Sequence, residues 1–200
     1  EGGPQFFMVP TYTAEKYNIK TVDDMKKHWK VVEDPEDPSK GQFINCPIGW
    51  QCAEINRAKL EAYGLDEFFN IISGGSGAAL DAALAGAQKK NKPVFGYYWA
   101  PTSIMGAYEW TVLEEPAYSA ACWEEVAKGQ DDASYTPKQA CAYETLPVDK
   151  AVHKNMLEKA PDVVEMMKKM NIGLQPINVT AAYTGENFEG QWDKAALYYL

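Results

Sequence analysis

The stretch Gln42-Phe-Ile-Asn-Cys-Pro-Ile-Gly-Trp-Gln-Cys52, continued by Ala53-Glu-Ile-Asn-Arg-Ala-Lys-Leu-Glu-Ala-Tyr-Gly64, sets the architecture of this chain. Residues 42–45 read as a short strand. From Cys52 the apolar residues Ile55, Leu60 and Tyr63 recur at helical spacing, and Gly64 supplies a stop. Between strand and helix, two cysteines six positions apart bracket Gly49-Trp50. A bond between them would close a short loop and hold an indole beside a helix N-terminus. Such a spot offers a π face to cations and backbone N–H groups to anions.

Outward from this unit the same alternation repeats. Residues 6–9 are a short apolar run ended by Pro10, a strand. Thr21 and Asp24 have capping-box spacing before a short helix through Trp29. Residues 32–41, with two prolines and several acids, read as a loop. Residues 68–72 read as a buried strand. Ser73-Gly-Gly-Ser-Gly77 is a tight turn into an Ala/Leu-rich helix that runs to about residue 90, and residues 93–99 and 110–113 are further strands. Strands alternating with helices indicate a parallel α/β architecture, whose ligands collect outside the carboxyl ends of the strands. The Cys46 to Cys52 loop and residues 99–102 each follow a strand, so both are expected at one sheet edge.

Residues 116–146 are long, polar and irregular, which is unusual inside a compact domain. They are expected to cross between lobes or to cover a surface. Two helices follow, at about 149–159 and 161–170, the second with proline at its first position. A last helical segment runs from Gln191 to Leu200, and its apolar end reads as truncation.

The 200 residues allow one domain or two small lobes. A net charge of −9, with lysines scattered in pairs, excludes the basic footprint that nucleic-acid binding requires. No run approaches the ~20 apolar residues of a membrane span, so no direct membrane insertion is expected of this chain. It carries no signal peptide, which fits a mature or trimmed chain. Four cysteines in two local pairs, Cys46/Cys52 and Cys122/Cys141, favour disulfides and an oxidising compartment. Reduced core thiols and metal ligation remain as alternatives, although neither pair has C-x-x-C spacing and His28 and His153 are remote. No metal or cofactor is expected.

Trp50, preceded by glycine and followed by a helix start, reads as a ligand contact in preference to a core tryptophan under the loop. Trp99 ends its strand with Tyr97 on the same face and Tyr98 on the other, and periodicity alone leaves its role open. Nothing marks a nucleophile. The glycine-rich turn lacks a phosphate-loop lysine, there is no G-x-S-x-G elbow, and the histidines lie on lysine-rich helices. The adjacent acids Glu114-Glu115 and Asp131-Asp132 read as surface. No catalytic residue is assigned, and no enzyme is expected. Asn178-Val-Thr180 matches a glycosylation sequon by pattern only.

Several segments together resemble a known family. Cys46-Pro-Ile-Gly-Trp-Gln-Cys52 and its following helix are similar to the Cys/Gly-Trp/Cys segment of periplasmic glycine betaine/proline betaine-binding proteins. Ser76-Gly-Ala-Ala-Leu-Asp-Ala-Ala-Leu84 and Lys92-Pro-Val-Phe-Gly-Tyr-Tyr-Trp-Ala-Pro101 resemble that family's helix and its Trp-x-Pro strand end. Val112-Leu-Glu-Glu-Pro116 and Phe7-Met-Val-Pro-Thr-Tyr-Thr-Ala-Glu-Lys16 extend the likeness, which covers most of residues 6–116 and, more weakly, 146–200.

The resemblance implies a periplasmic-binding-protein-like two-lobed α/β fold (type II), here one α/β lobe plus part of the other. The expected division is a crossover strand at 1–8, lobe two at 9–113, a disulfide-stapled connection at 114–146, and a helical part of lobe one at 147–200. It implies a periplasmic or extracellular protein, compatible with membrane tethering before processing. That protein hands a zwitterionic or cationic methylammonium ligand to the membrane permease of an ABC importer. By motif position Trp50 and Trp99 are two walls of the cation box, and the backbone N–H groups of Gln51 and Cys52 take the carboxylate.

Two departures from the family pattern are expected to matter: the first part of lobe one, which in the family carries a further box aromatic and another carboxylate donor, is expected to be missing, and the residues after the Trp-x-Pro proline differ. Where the family commonly has an aromatic residue or histidine after the Trp-x-Pro proline, this chain has Thr102-Ser103-Ile104. Two cation–π walls and a helix N-terminus contribute about 5–6 kcal/mol before association costs, short of the roughly 8 kcal/mol of micromolar affinity. Closure by the other lobe is expected to supply the rest. The competing readings are a sensor module of the same fold and a small-molecule α/β enzyme using the Ser73-Gly-Gly-Ser-Gly77 turn.

Overall fold

A computed structural model of the chain describes residues 2–187 and 191–199. Its strands are β1 (Gly2–Gly3), β2 (Gln5–Pro10), β3 (Gly41–Asn45), β4 (Phe69–Ser73), β5 (Gly96–Trp99), β6 (Trp110–Val112) and β7 (Leu146–Pro147). Its helices are α1 (Thr11–Tyr17), α2 (Met25–His28), α3 (Gln51–Ala62), α4 (Gly77–Lys89), α5 (Ser103–Ala107), α6 (Ala120–Asp131), α7 (Met156–Lys159), α8 (Pro161–Lys169), α9 (Leu174–Asn187) and α10 (Trp192–Tyr199). They fall into two compact units. One is Gln5–Trp99 with Tyr108–Glu144; the other is Glu1–Pro4, Ala100–Ala107 and Thr145–Leu200.

The larger unit is built on a five-stranded sheet of order β4-β3-β5-β2-β6. The expected parallel pairing holds for β3 with β4 and with β5, so the ends Asn45 and Trp99 meet at one edge. It fails for β2, which runs antiparallel to both β5 and β6, so the sheet is mixed. The strand expected at residues 68–72 occupies Phe69–Ser73 and lies at the sheet edge. That position leaves Ile72 38% exposed instead of buried.

Four phenylalanines form the centre of the sheet's core. Phe43 sits 4.9 Å from both Phe7 and Phe95, and Phe69 sits 5.1 Å from Phe95, all edge to face. α3 covers this face, where Lys59 Nζ lies over the Phe7 ring. On the opposite face α4 sends down Leu80 and Leu84, both buried.

Signals that depend on neighbours in sequence take the expected form. Thr21 and Asp24 cap reciprocally: the Thr21 N–H donates to Asp24 Oδ2 at 3.0 Å, and the Asp24 N–H donates to Thr21 Oγ1 at 3.2 Å. Gly64, at φ 64°, follows the last turn of α3 as its stop.

Residues 116–146 differ from expectation. They contain the 12-residue helix α6, started by Ser119, whose hydroxyl accepts from the Cys122 N–H. Alternate burial of Cys122, Val126 and Gly129 against α3 accounts for that helix.

The smaller unit pairs β1 with β7 and packs α5 against α9. At the closest approach a β-carbon on Gly106 would collide with the Asn178 backbone. Asn178 is buried, and its side-chain oxygen accepts from the Thr102 N–H at 2.7 Å. The sequon asparagine is therefore a packing residue. The helix expected at 149–159 shortens to Met156–Lys159, while α8 keeps proline at its start. α9 was not anticipated, because Pro176 and β-branched residues interrupt its helical pattern. Of the expected last helix, Leu200 lies outside the described residues.

Candidate functional site

The site grows from the junction of β3 and α3. Cys46 and Cys52 are joined, with Cα atoms 6.2 Å apart, and Cys122 is joined to Cys141, with Cα atoms 6.4 Å apart. Gly49 takes φ 91°, a left-handed turn that glycine enters without steric cost, and it rotates the next residue outward. Trp50 is 45% exposed although it is a large aromatic residue.

Beneath the loop a chain of polar side chains is paired throughout. Tyr143 donates its hydroxyl to Asn56 Oδ1 at 2.7 Å, and Asn56 Nδ2 donates to Asn45 Oδ1 at 2.7 Å. Asn45 Oδ1 also accepts the Cys46 N–H at 2.8 Å, and its amide donates to the Ala53 carbonyl at 3.1 Å. Both asparagines are buried, so these bonds spare them a desolvation cost and hold the loop in one register.

Trp50 and Trp99 come together. Their ring centroids are 5.9 Å apart with planes inclined by 57°. The two rings form a wedge, their planes meeting at an angle. Tyr98 stacks on Trp99 at 4.5 Å, and Tyr97 stands 6.1 Å from it on the other side. Periodicity assigned Tyr98 to the opposite sheet face, yet at the strand end its ring still reaches Trp99.

Trp50 is the N-cap residue of α3, and the amides of Gln51 and Cys52 open that helix without intrahelical acceptors. They therefore present donors beside the indole. Burial pushes the Tyr97 and Tyr143 hydroxyls well above the usual tyrosine range, so both stay neutral donors. Tyr97 donates to Gln5 Oε1 at 2.6 Å.

Behind Tyr143 lies a feature that sequence reading placed on the surface. Lys59 Nζ is 2.7 Å from Glu115 Oε2, with side chains 0% and 2% exposed. The ammonium also sits 4.3 Å from the Tyr143 centroid and 4.7 Å from that of Phe7. Burial holds the Lys59 ammonium below the usual lysine range, and the Glu115 carboxylate opposes that shift. Tyr63 donates to the same carboxylate at 2.8 Å. Glu115 is thus a buried ion-pair partner and not the surface acid expected. The available signal was the spacing of Cys52, Ile55, Asn56 and Lys59 along one stripe of α3.

Among the described residues no group of three or more His, Cys, Asp or Glu side chains is arranged to hold a metal ion. Among the same residues no helix is long and apolar enough to cross a membrane.

The architecture is that of the type II periplasmic-binding-protein-like α/β class. The structure matches that of a glycine betaine, L-proline ABC transporter binding protein (ProX) from Borrelia burgdorferi, with a TM-score of 0.58 at 15% identity. That match covers 100% of this chain and 62% of the other. Residues 1–199 match the OpuAC family, described as the substrate binding domain of ABC-type glycine betaine transport system. The chain belongs to that family.

Among curated relatives, the glycine betaine-binding periplasmic protein OusX of Dickeya dadantii (strain 3937) is 31% identical over 102 residues, 50% of this chain and 30% of that protein. The trimethylamine N-oxide-binding protein of Pelagibacter ubique (strain HTCC1062) is 27% identical over 148 residues, 74% of this chain and 44% of that protein. The chain thus spans less than half the length of these relatives. By their names both are binding proteins.

Proposed function

We propose that this chain is part of the extracytoplasmic solute-binding component of an ABC importer and takes a quaternary ammonium or sulfonium osmolyte of the glycine betaine class. In this reading the Trp50–Trp99 wedge receives the methylated head. A quaternary nitrogen has no N–H to satisfy, so burying it against rings strands no donor, and each desolvated contact contributes up to roughly 2 kcal/mol. The Gln51 and Cys52 amides take the carboxylate at the start of α3, where the helix dipole favours negative charge. The chain performs no bond chemistry; it captures and releases, and a membrane permease receives the ligand. The periplasmic or extracellular side is its place of work, in keeping with two disulfides.

The observation that carries this reading is the 5.9 Å approach of two indoles beside a helix start with unpaired amides. Millimolar titration of glycine betaine, proline betaine and choline, followed by tryptophan fluorescence and amide NMR, tests it. Saturable shifts at Gln51 and Cys52 are expected with the two betaines. Trp50→Ala and Trp99→Ala should each weaken binding about tenfold or more. Unchanged spectra with all three ligands would reject the reading, as would full binding by the Trp50→Ala/Trp99→Ala variant.

A further inference from the structure

The two indoles are reached from one helix. A β-carbon at position 77, the first residue of α4, would stand 3.4 Å from Trp50 Cη2 and 3.8 Å from Cζ2, so the indole edge rests on a bare backbone. One turn further along, Asp81 Oδ1 accepts the Tyr98 hydroxyl at 2.6 Å. Tyr98 in turn stacks on Trp99 at 4.5 Å with planes 30° apart. Residues 77 and 81 are four apart and share one face of the helix. α4 itself is anchored. Ser76 caps its start through the Ala79 N–H at 3.2 Å, and Leu80 and Leu84 are 1% and 0% exposed against the sheet.

We propose that α4 sets the opening of the Trp50–Trp99 wedge, with Gly77 seating one ring and Asp81 seating the other through Tyr98. Both are positioning residues: each acts through an aromatic ring, Gly77 through Trp50 and Asp81 through Tyr98. Position 77 matters for space and not for backbone conformation, which is not left-handed: a β-carbon there would meet Trp50 at ordinary van der Waals distance, and a longer side chain would displace the ring. Loss of the Asp81 acceptor frees the Tyr98 ring, and Trp99 loses the surface it stacks on. The wedge then opens or closes, and its fit to a methylated head of given size changes. This inference rests on the proposed binding role of the two tryptophans for its functional meaning, but the ring geometry can be read without ligand.

The test is ¹⁹F NMR of the full chain carrying 5-fluorotryptophan, with the Trp50 and Trp99 resonances assigned through Trp50→Phe and Trp99→Phe. Without ligand, Asp81→Ala and Tyr98→Phe should each shift the Trp99 resonance. Asp81→Asn, whose Oδ1 still accepts the hydroxyl, should restore it. Gly77→Leu should shift the Trp50 resonance, and Gly77→Ala should shift it less. A Trp99 resonance that ignores both Asp81→Ala and Tyr98→Phe overturns the proposal, because a merely structural role changes the melting point and not the ring environment. Tyr98→Phe keeps the ring, so it remains informative should Asp81→Ala fail to fold. A glycine betaine titration on the same samples separates the two ideas. Resonance shifts with affinity lowered about tenfold support both. Resonance shifts in a chain whose unmodified form gives no betaine response support the wedge-setting role of α4 and reject the ligand assignment alone.

Discussion

The two disulfide-closed segments of the larger unit use the same bond under opposite conditions. Cys46–Cys52 spans six positions and leaves Trp50 45% exposed. Cys122–Cys141 spans 19 positions and encloses a helix. Its aromatic neighbours turn inward: Trp123 packs 5.3 Å from Tyr143, and Tyr143 is 7% exposed over the Lys59 ammonium. The crosslink restricts where the backbone goes, while the layer beneath decides what the ring does. Under the short loop the buried asparagines are bonded to one another and to the loop backbone, and the indole is left half-exposed. Under the long one, α3 and a buried ion pair provide a surface to pack on.

The sharpest way to break this contrast is to remove the surface under the long segment. Lys59→Met leaves Glu115 buried with, among the described residues, only the Tyr63 hydroxyl as side-chain partner, and should cost about 3–5 kcal/mol in urea unfolding. The double variant Lys59→Met/Glu115→Leu should recover much of that loss. A single-variant cost below about 1 kcal/mol would mean that the pair does not hold the segment down.

Removing the crosslinks separates the two roles. By loop entropy, Cys122→Ser/Cys141→Ser should lose about 3 kcal/mol and Cys46→Ser/Cys52→Ser about 2 kcal/mol. The order should reverse for Trp50, whose fluorescence maximum should move only when the short loop is released. Equal spectral changes in both variants would erase the distinction drawn here.

The smallest expected effect is with pH. Lys128 first, then the Tyr135 hydroxyl and the Lys138 N–H, hold the Glu125 carboxyl down to about 2 from its usual 4.5. The folded chain therefore binds this proton less readily than the unfolded chain. The stability Glu125 contributes is complete above pH 4.5 and is lost as pH falls towards 2. Glu125→Gln should lower the urea midpoint at pH 7 and flatten its decline between pH 5 and 3. The Cys46 loop should show no difference between the two proteins in that range.

What was legible and what was not divide along the range of the forces involved. The Thr21–Asp24 cap, the Gly64 stop and the strand-loop-helix at Cys46 depend on residues within a few positions, and each was visible. The antiparallel insertion of β2 between β5 and β6 was not, because a six-residue apolar strand pairs equally well in either direction until the sheet closes around it. The Lys59–Glu115 pair was legible only in part: the buried stripe of α3 points Lys59 inward, but nothing local names its partner. A lysine is expected in water, and its partner is 56 positions away in sequence. The relation of Tyr98, Gly77 and Asp81 to the indoles is not encoded locally, because it exists only once α4 lies against the sheet.

By itself, the amino-acid order determined that a disulfide-spaced loop with a glycine before a tryptophan would open a helix, and that an aromatic strand would end at Trp99. Those are consequences of backbone conformation and side-chain alternation, which act locally. Only the tertiary structure decided that the two rings meet as a wedge, that α4 lies against one and reaches the other through Tyr98, and that a charged pair lies buried beneath Tyr143. Distances between residues far apart along the chain are set by how helices and strands pack, and no local preference encodes them.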